Sequence, residues 1–185
     1  MRCRCLSLYD GRRWLINVII NRFLPKNALI AATFTALNPD GSLNLGAIDR
    51  QASILLEDGV AGAFICGTTG EGPSLSTAER IQVAERWRTT VRSGSLKVIV
   101  HVGHNSLPES VSLARHAATI GADAISTVAP NYFKSQSVDD LLAFCIPVAK
   151  AAPALPFYFY EIPSLTGVSV PMCQHRPETH LLPPV

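Results

Sequence analysis

Phe157-Tyr158-Phe159-Tyr160-Glu161-Ile162-Pro163-Ser164-Leu165-Thr166-Gly167 is the stretch on which the reading of this chain turns. Four consecutive aromatic residues form a strand without apolar-polar alternation, as a strand covered on both faces requires. Pro163 and the turn residues after it stop the strand, which leaves the Tyr160 hydroxyl at its end. The run is the last of a series. Before it lies a helix opened by Ser137 to Asp140, with Val138, Leu141, Leu142, Cys145, Val148 and Ala149 on one stripe.

Working back from there, the same unit recurs. Ala124 to Val128 is a strand, preceded by a helix that starts at Ser106-Leu107-Pro108-Glu109, a capping-box spacing, and ends near Gly121. Val98 to Val102 is a strand, preceded by a helix capped by Ser76 and Glu79 that turns Ile81, Ala84, Trp87 and Val91 inward. Gly62 to Cys66 is a strand, preceded by a helix whose stripe is Leu45, Ile48, Ala52, Leu55 and Leu56. Leu29 to Thr35 is the first strand, and Asn38-Pro39-Asp40-Gly41 is the turn after it.

A repeat of about thirty residues, strand then helix, predicts a parallel α/β fold. It is either an open doubly wound sheet or a (β/α)8 barrel. No Gly-x-Gly-x-x-Gly follows the first strand, which removes the best support for a dinucleotide fold. Four units and a fifth strand are present, whereas a barrel takes eight units and roughly 250 residues. Pro171, Pro177, Pro183 and Pro184 exclude a regular fifth helix after Ser169. If it is a barrel, it is a partial (β/α)8 TIM barrel over residues 28–168, cut a little past half-way, with a separate leader at 1–27 and an aberrant proline-rich tail at 169–185.

Composition narrows the function. The 185 residues are 48% apolar and carry a net charge of +2, too little to imply a nucleic-acid partner. Of five cysteines, Cys66 and Cys145 fall in apolar patterns and read as reduced core residues of a cytoplasmic protein; Cys3, Cys5 and Cys173 show no metal-ligand spacing. The leader holds Arg2, Arg4, Arg12, Arg13, Arg22 and Lys26 against Asp10 alone. It reads as an extra leader or a transit peptide, and its apolar run from Trp14 to Ile20 is far short of the roughly twenty residues that span a bilayer.

Active residues of a parallel α/β fold lie where strands end and helices begin. Gly67-Thr68-Thr69-Gly70-Glu71 has that position after the second strand: glycines for close backbone approach, two hydroxyls, and N–H groups able to hold a carboxylate or phosphate. The same composition also suits a tight turn with Thr and Ser as local caps. Tyr160 is a proton relay or an ordinary half-buried tyrosine. His101 and His104 have H-x-x-H spacing at a strand end, without a zincin carboxylate, and predict no metal site. Lys134, in Asn131-Tyr132-Phe133-Lys134, reads as a solvated charge.

Gly67 to Glu71, the run Thr127-Val128-Ala129-Pro130-Asn131-Tyr132, and Tyr160 to Gly167 stand in order, one at each strand end. Together they resemble the pyruvate-dependent class I aldolases of the dihydrodipicolinate synthase/N-acetylneuraminate lyase family, over about Asn27 to Val170. Leu165 stands where the dihydrodipicolinate synthases typically have an arginine for their second, acidic substrate. With Ala152 to Tyr158 and His101 to Asp123, it makes the sialic-acid lyases of animals the more similar branch.

The resemblance implies reversible aldol cleavage of N-acetylneuraminate to N-acetylmannosamine and pyruvate, without metal or cofactor. It matches Thr68 and Thr69 to the pair that holds the substrate carboxylate, and Tyr160 to the tyrosine that passes protons to the reacting oxygen. It further implies a small-molecule partner, no nucleic-acid or membrane partner, and homotetrameric full-length members. A Schiff-base lysine belongs on a sixth strand, and none of Lys26, Lys97, Lys134 and Lys150 matches it. This chain is accordingly expected to be a shortened, inactive copy. The alternatives are a sibling aldolase such as dihydrodipicolinate synthase, or a non-catalytic half-barrel that binds ligands or subunits, although open apolar edges at strands one and five would oppose the latter.

Overall fold

Helices on one face only separate a barrel wall from a doubly wound sheet, and that distinction is visible in the computed structural model. It describes residues 28–91, 94 and 96–170, and the backbone alone of 6–9 and 14–16. The strands are β1 (Leu6–Tyr9), β2 (Trp14–Ile16), β3 (Ile30–Ala32), β4 (Gly62–Ile65), β5 (Lys97–His101), β6 (Ala124–Thr127) and β7 (Phe157–Tyr160). The helices are α1 (Ala47–Glu57), α2 (Thr77–Thr90), α3 (Leu107–Thr119), α4 (Val138–Ala151) and the single turn α5 (Pro163–Thr166). β3 to β7 lie side by side in chain order and pair in parallel.

Successive residues of a strand point to opposite faces. Ala63, Ile65, Val98, Val100, Ile125, Phe157 and Phe159 join one core with Ile48, Ala52, Val83, Trp87, Leu113, Leu141 and Val148 of the four long helices. Ile99, Ala124 and Tyr158, with Ile30 and Phe64 against them, form a second cluster to which no helix contributes. The five parallel strands are thus a partial TIM-barrel wall, with helices outside and the second cluster inside. Each fully buried Val, Leu, Ile or Phe on the helix side stabilises the wall by roughly 1.5–3 kcal/mol.

The helix stripes follow the sequence with informative exceptions. In α1, Ile48 and Ala52 are buried but Leu56 is exposed, because its position has rotated past the contact face. In α2 the inward set is Val83, Ala84, Trp87 and Arg80, with Val91 just beyond the helix, while Ile81 is only partly buried. Ser76 and Glu79 make the expected reciprocal capping box, as do Ser137 and Asp140. Ser106 does not: its side chain makes no cap bond, and the Glu109 carboxylate is engaged elsewhere, accepting from Thr77 Oγ1 of the neighbouring helix at 2.7 Å. Ser106 N–H donates to His104 Nδ1 at 2.9 Å.

The expectation of two open edges is corrected at one of them. β1 runs antiparallel along the outer edge of β7, Leu6 opposite Tyr160 and Tyr9 opposite Phe157, and β2 pairs with β1 in turn. β3 ends the sheet on the other side. The rest of the leader at 1–27, and the tail beyond Val170, lie outside the described residues.

Candidate active site

The loop after β4 is held in one shape by contacts that leave no room for a side chain. Cys66 takes a left-handed backbone, φ 55, and Glu71 closes the turn at φ 51. Between them the chain doubles back: Glu71 N–H donates to Thr68 O and Gly72 N–H to Gly67 O, both at 3.1 Å. A Cβ on Gly72 would lie 1.9 Å from Cys66 O, so only glycine permits this approach. Thr35, from the chain after β3, donates its hydroxyl to Gly70 O at 2.7 Å. Thr68 is left exposed and Thr69 half-buried. Their N–H groups meet no protein acceptor among the described residues, and the cap of α2 is Ser76, neither threonine. A loop of fixed shape with two N–H groups unclaimed among the described residues suits an anion.

β7 supplies the other element. Tyr158 and Tyr160 share the inner face, two residues apart. Tyr158 is buried, which pushes its hydroxyl up to about 12, whereas Tyr160 above it is half-buried. The Tyr160 ring meets Phe64 of β4 edge-on, centroids 6.4 Å apart. Phe64 also lies under Gly67, where an added Cβ would fall 2.3 Å from its ring. One aromatic side chain therefore touches both the threonine loop and the tyrosine. Beyond Tyr160, Thr166 is buried and its hydroxyl donates to Ile162 O at 3.1 Å, holding the single-turn helix. Leu165, at 58% exposure, faces outward from that turn.

The other candidates part company. Lys97 begins β5, at the opposite end of the strands from Thr68, and its Nζ pairs with Asp123 at 3.0 Å. Lys150 is exposed at the end of α4. Lys134 is exposed in the loop after β6, and its Nζ lies where a Cβ on Gly167 would be 2.7 Å away. Lys26 lies outside the described residues. His101 and His104 do not converge: His101 is buried against Arg80, and His104 accepts from Ser106. Among the described residues no group of three His, Cys, Asp or Glu side chains could hold a metal ion. Cys66 and Cys145 are buried free thiols, and burial pushes the Cys66 thiol up to about 11.

Three residues of this region escaped the sequence reading. Phe64 was lost inside an apolar run that gives no hint of which face is inner. Ser126 of β6 is 1% exposed and its hydroxyl has no partner among the described residues. Arg80 is 2% exposed, its guanidinium on the carbonyls of His101 and Gly103. Its helical spacing to Ala84, Trp87 and Val91 is the one signal for it in the sequence, against the usual solvent exposure of arginine.

Among the described residues no helix is long and apolar enough to cross a membrane. The profile of the Dihydrodipicolinate synthetase family matches residues 25–176. N-acetylneuraminate lyase of Rattus norvegicus is 53% identical over 146 residues, which are 77% of this chain and 45% of that protein. The Homo sapiens N-acetylneuraminate lyase is 50% identical over 143 residues, again 77% of this chain and 45% of the relative. Among solved structures, the N-acetylneuraminate lyase of Proteus mirabilis superposes with a TM-score of 0.74 at 44% identity, over 77% of this chain and 48% of that one. The chain thus spans a little under half the length of the relatives it matches. A one-sided parallel wall, the glycine-threonine loop after β4, and this likeness in both sequence and structure agree: the chain belongs to the dihydrodipicolinate synthetase family.

Proposed function

We propose that residues 28–168 form the carboxylate-binding and proton-relaying part of a carbon–carbon lyase site whose substrate is N-acetylneuraminate. The observation that carries the proposal is the fixed loop at Thr68 and Thr69, whose N–H groups meet no protein acceptor among the described residues and which packs through Phe64 against Tyr160. In this reading Thr68 and Thr69 take the carboxylate of the 2-keto acid. Tyr160 relays the proton of the substrate hydroxyl, taking it up as its own phenolic proton passes on, while the carbon–carbon bond breaks and the bonding electrons pass to an iminium made by a lysine. The products are pyruvate and N-acetylmannosamine. Leu165 and the high identity to sialic-acid lyases favour this substrate over that of a dihydrodipicolinate synthase. The setting is the cytoplasm, and homotetramers are the assembly of full-length members.

Among the described residues Lys97 is at the wrong end of the strands, Lys150 is on the helix layer and Lys134 is exposed in a loop, so these residues by themselves are assigned no turnover. Borohydride trapping with pyruvate, followed by peptide mass analysis, tests this: no lysine adduct is expected, and an adduct on Lys134 or any other lysine refutes it. Pyruvate titration of the labelled chain tests the seat itself. Selective shifts of the Thr68 and Thr69 amide signals are expected, and their absence refutes the assignment.

A further inference from the structure

Arg80 is a buried cation without a carboxylate. Its side chain leaves the first turn of α2 and ends among backbone carbonyls: Nη1 donates to Gly103 O at 2.9 Å and Nη2 to His101 O at 2.6 Å. Among the described residues no acidic group forms an ion pair with it, and its Nε has no partner there. A guanidinium stripped of water and given no anion is a costly arrangement, and its retention calls for an account. The side chain it approaches instead is the neutral Cys66 thiol, at the residue that begins the threonine loop.

The same guanidinium fixes a tautomer. Nη2 lies 3.4 Å from His101 Nδ1. A guanidinium only donates, so Nδ1 is the acceptor and the imidazole proton sits on Nε2. The other partner of this ring is the backbone of Cys66. The ring is enclosed besides: a Cβ on Gly103 would fall 2.8 Å from His101 Cε1, and Phe64 packs edge-on against it at 6.0 Å. Burial first, then the charge of Arg80, hold His101 down to about 3, so the ring stays neutral at working pH. The chain of contacts runs from Arg80 through neutral His101 to the Cys66 backbone, which has the left-handed φ that launches Gly67-Thr68-Thr69.

We propose that Arg80 is a positioning residue for the carboxylate of the 2-keto acid: it locks His101 and Cys66 so that the Thr68–Thr69 donors face one point, and it supplies the positive charge behind them. The proposal rests on the reading of that loop as the carboxylate seat. The bound carboxylate is the anion that the buried guanidinium otherwise lacks. Arg80 acts through the loop and does not touch the substrate.

The test uses the full 185-residue chain labelled with 15N. Imidazole nitrogen spectra report the His101 tautomer, and amide spectra during pyruvate titration report the seat. The unsubstituted chain is expected to show Nε2–H His101 and saturable shifts at Thr68 and Thr69. Arg80→Met is expected to lose the single tautomer and weaken pyruvate binding at least tenfold. Arg80→Lys, which keeps the charge but not the fork, is expected to weaken it about threefold, also with loss of the tautomer. No shift in the unsubstituted chain refutes the carboxylate seat itself. Normal shifts there, together with unchanged affinity and tautomer in Arg80→Met, overturn the role of Arg80 alone. Should Arg80→Met fail to fold by circular dichroism, Arg80→Lys decides by the same two readouts, and unchanged values overturn the proposal.

Discussion

Phe64 and Tyr160 meet edge-on with ring centroids 6.4 Å apart, and the same Phe64 ring lies beneath Gly67. The two strand ends assigned to substrate binding and proton relay thus share one apolar support. Phe64→Ala is expected to cost about 1–2 kcal/mol, less than a fully buried phenylalanine because the ring is only partly covered. Phe64→Leu should cost less than half as much. Urea denaturation followed by tyrosine fluorescence gives both values; equal stability of Phe64→Ala and the unsubstituted chain would refute the shared support.

Gly72 of the threonine loop and Gly41 of the turn after β3 are separable by what a methyl group would meet. Gly72→Ala places a carbon against Cys66 O and is expected to cost more than about 2 kcal/mol and to broaden the amide signals of the loop. Gly41→Ala meets nothing within 4 Å, but its φ of +85° strains any side chain, and roughly 1 kcal/mol is expected. Chemical denaturation of the pair orders them, and a Gly72→Ala loss no larger than that of Gly41→Ala would show that the loop yields.

Two serines at identical capping spacing should behave differently. Ser76→Ala removes a reciprocal cap and is expected to lower stability by about 1 kcal/mol. Ser106→Ala removes no cap bond, so a change within about 0.5 kcal/mol is expected. Thermal melts of both variants check the contrast.

His101 sets a pH dependence. Its value in the folded chain is about 3, against about 6.5 for a free imidazole. The unfolded chain therefore binds the extra proton first as pH falls. Stability from this group is complete above about pH 6.5 and is lost progressively toward pH 3. The groups that face it are Arg80, Cys66 and Phe64, of which Arg80 carries the charge. The surface carboxylates held low by their serine partners, Asp40, Glu79 and Asp140, add their own loss at more acid pH. Between pH 6.5 and 5 the unfolding free energy is expected to fall by on the order of 1–2 kcal/mol, and His101→Gln should flatten that slope.

The strand-helix repeat made the number and order of β3 to β7 legible, since each unit carries its own apolar run and cap. The side on which the helices lie was not legible. The run Val98-Ile99-Val100 is apolar at every position, so only the packed structure separates Val100, facing the helices, from Ile99, facing inward. Glu109 looked like a capping residue because spacing along one helix cannot reveal Thr77 on the next. Thr68, Thr69 and Tyr160 are marked as candidates by their places at strand ends, with their proposed roles implied by the family resemblance. Arg80, Phe64 and Ser126 were not, because their importance comes from partners distant in sequence.

The antiparallel pairing of Leu6–Tyr9 with β7 has a consequence for how the wall can grow. A strand has two hydrogen-bonding edges, and β7 already shares one with β6 and the other with β1. A parallel neighbour following β7 and the N-terminal hairpin are rivals for a single berth. Whichever holds it decides whether the strand of Tyr160 sits inside a widening barrel or under a lid made from the beginning of its own chain.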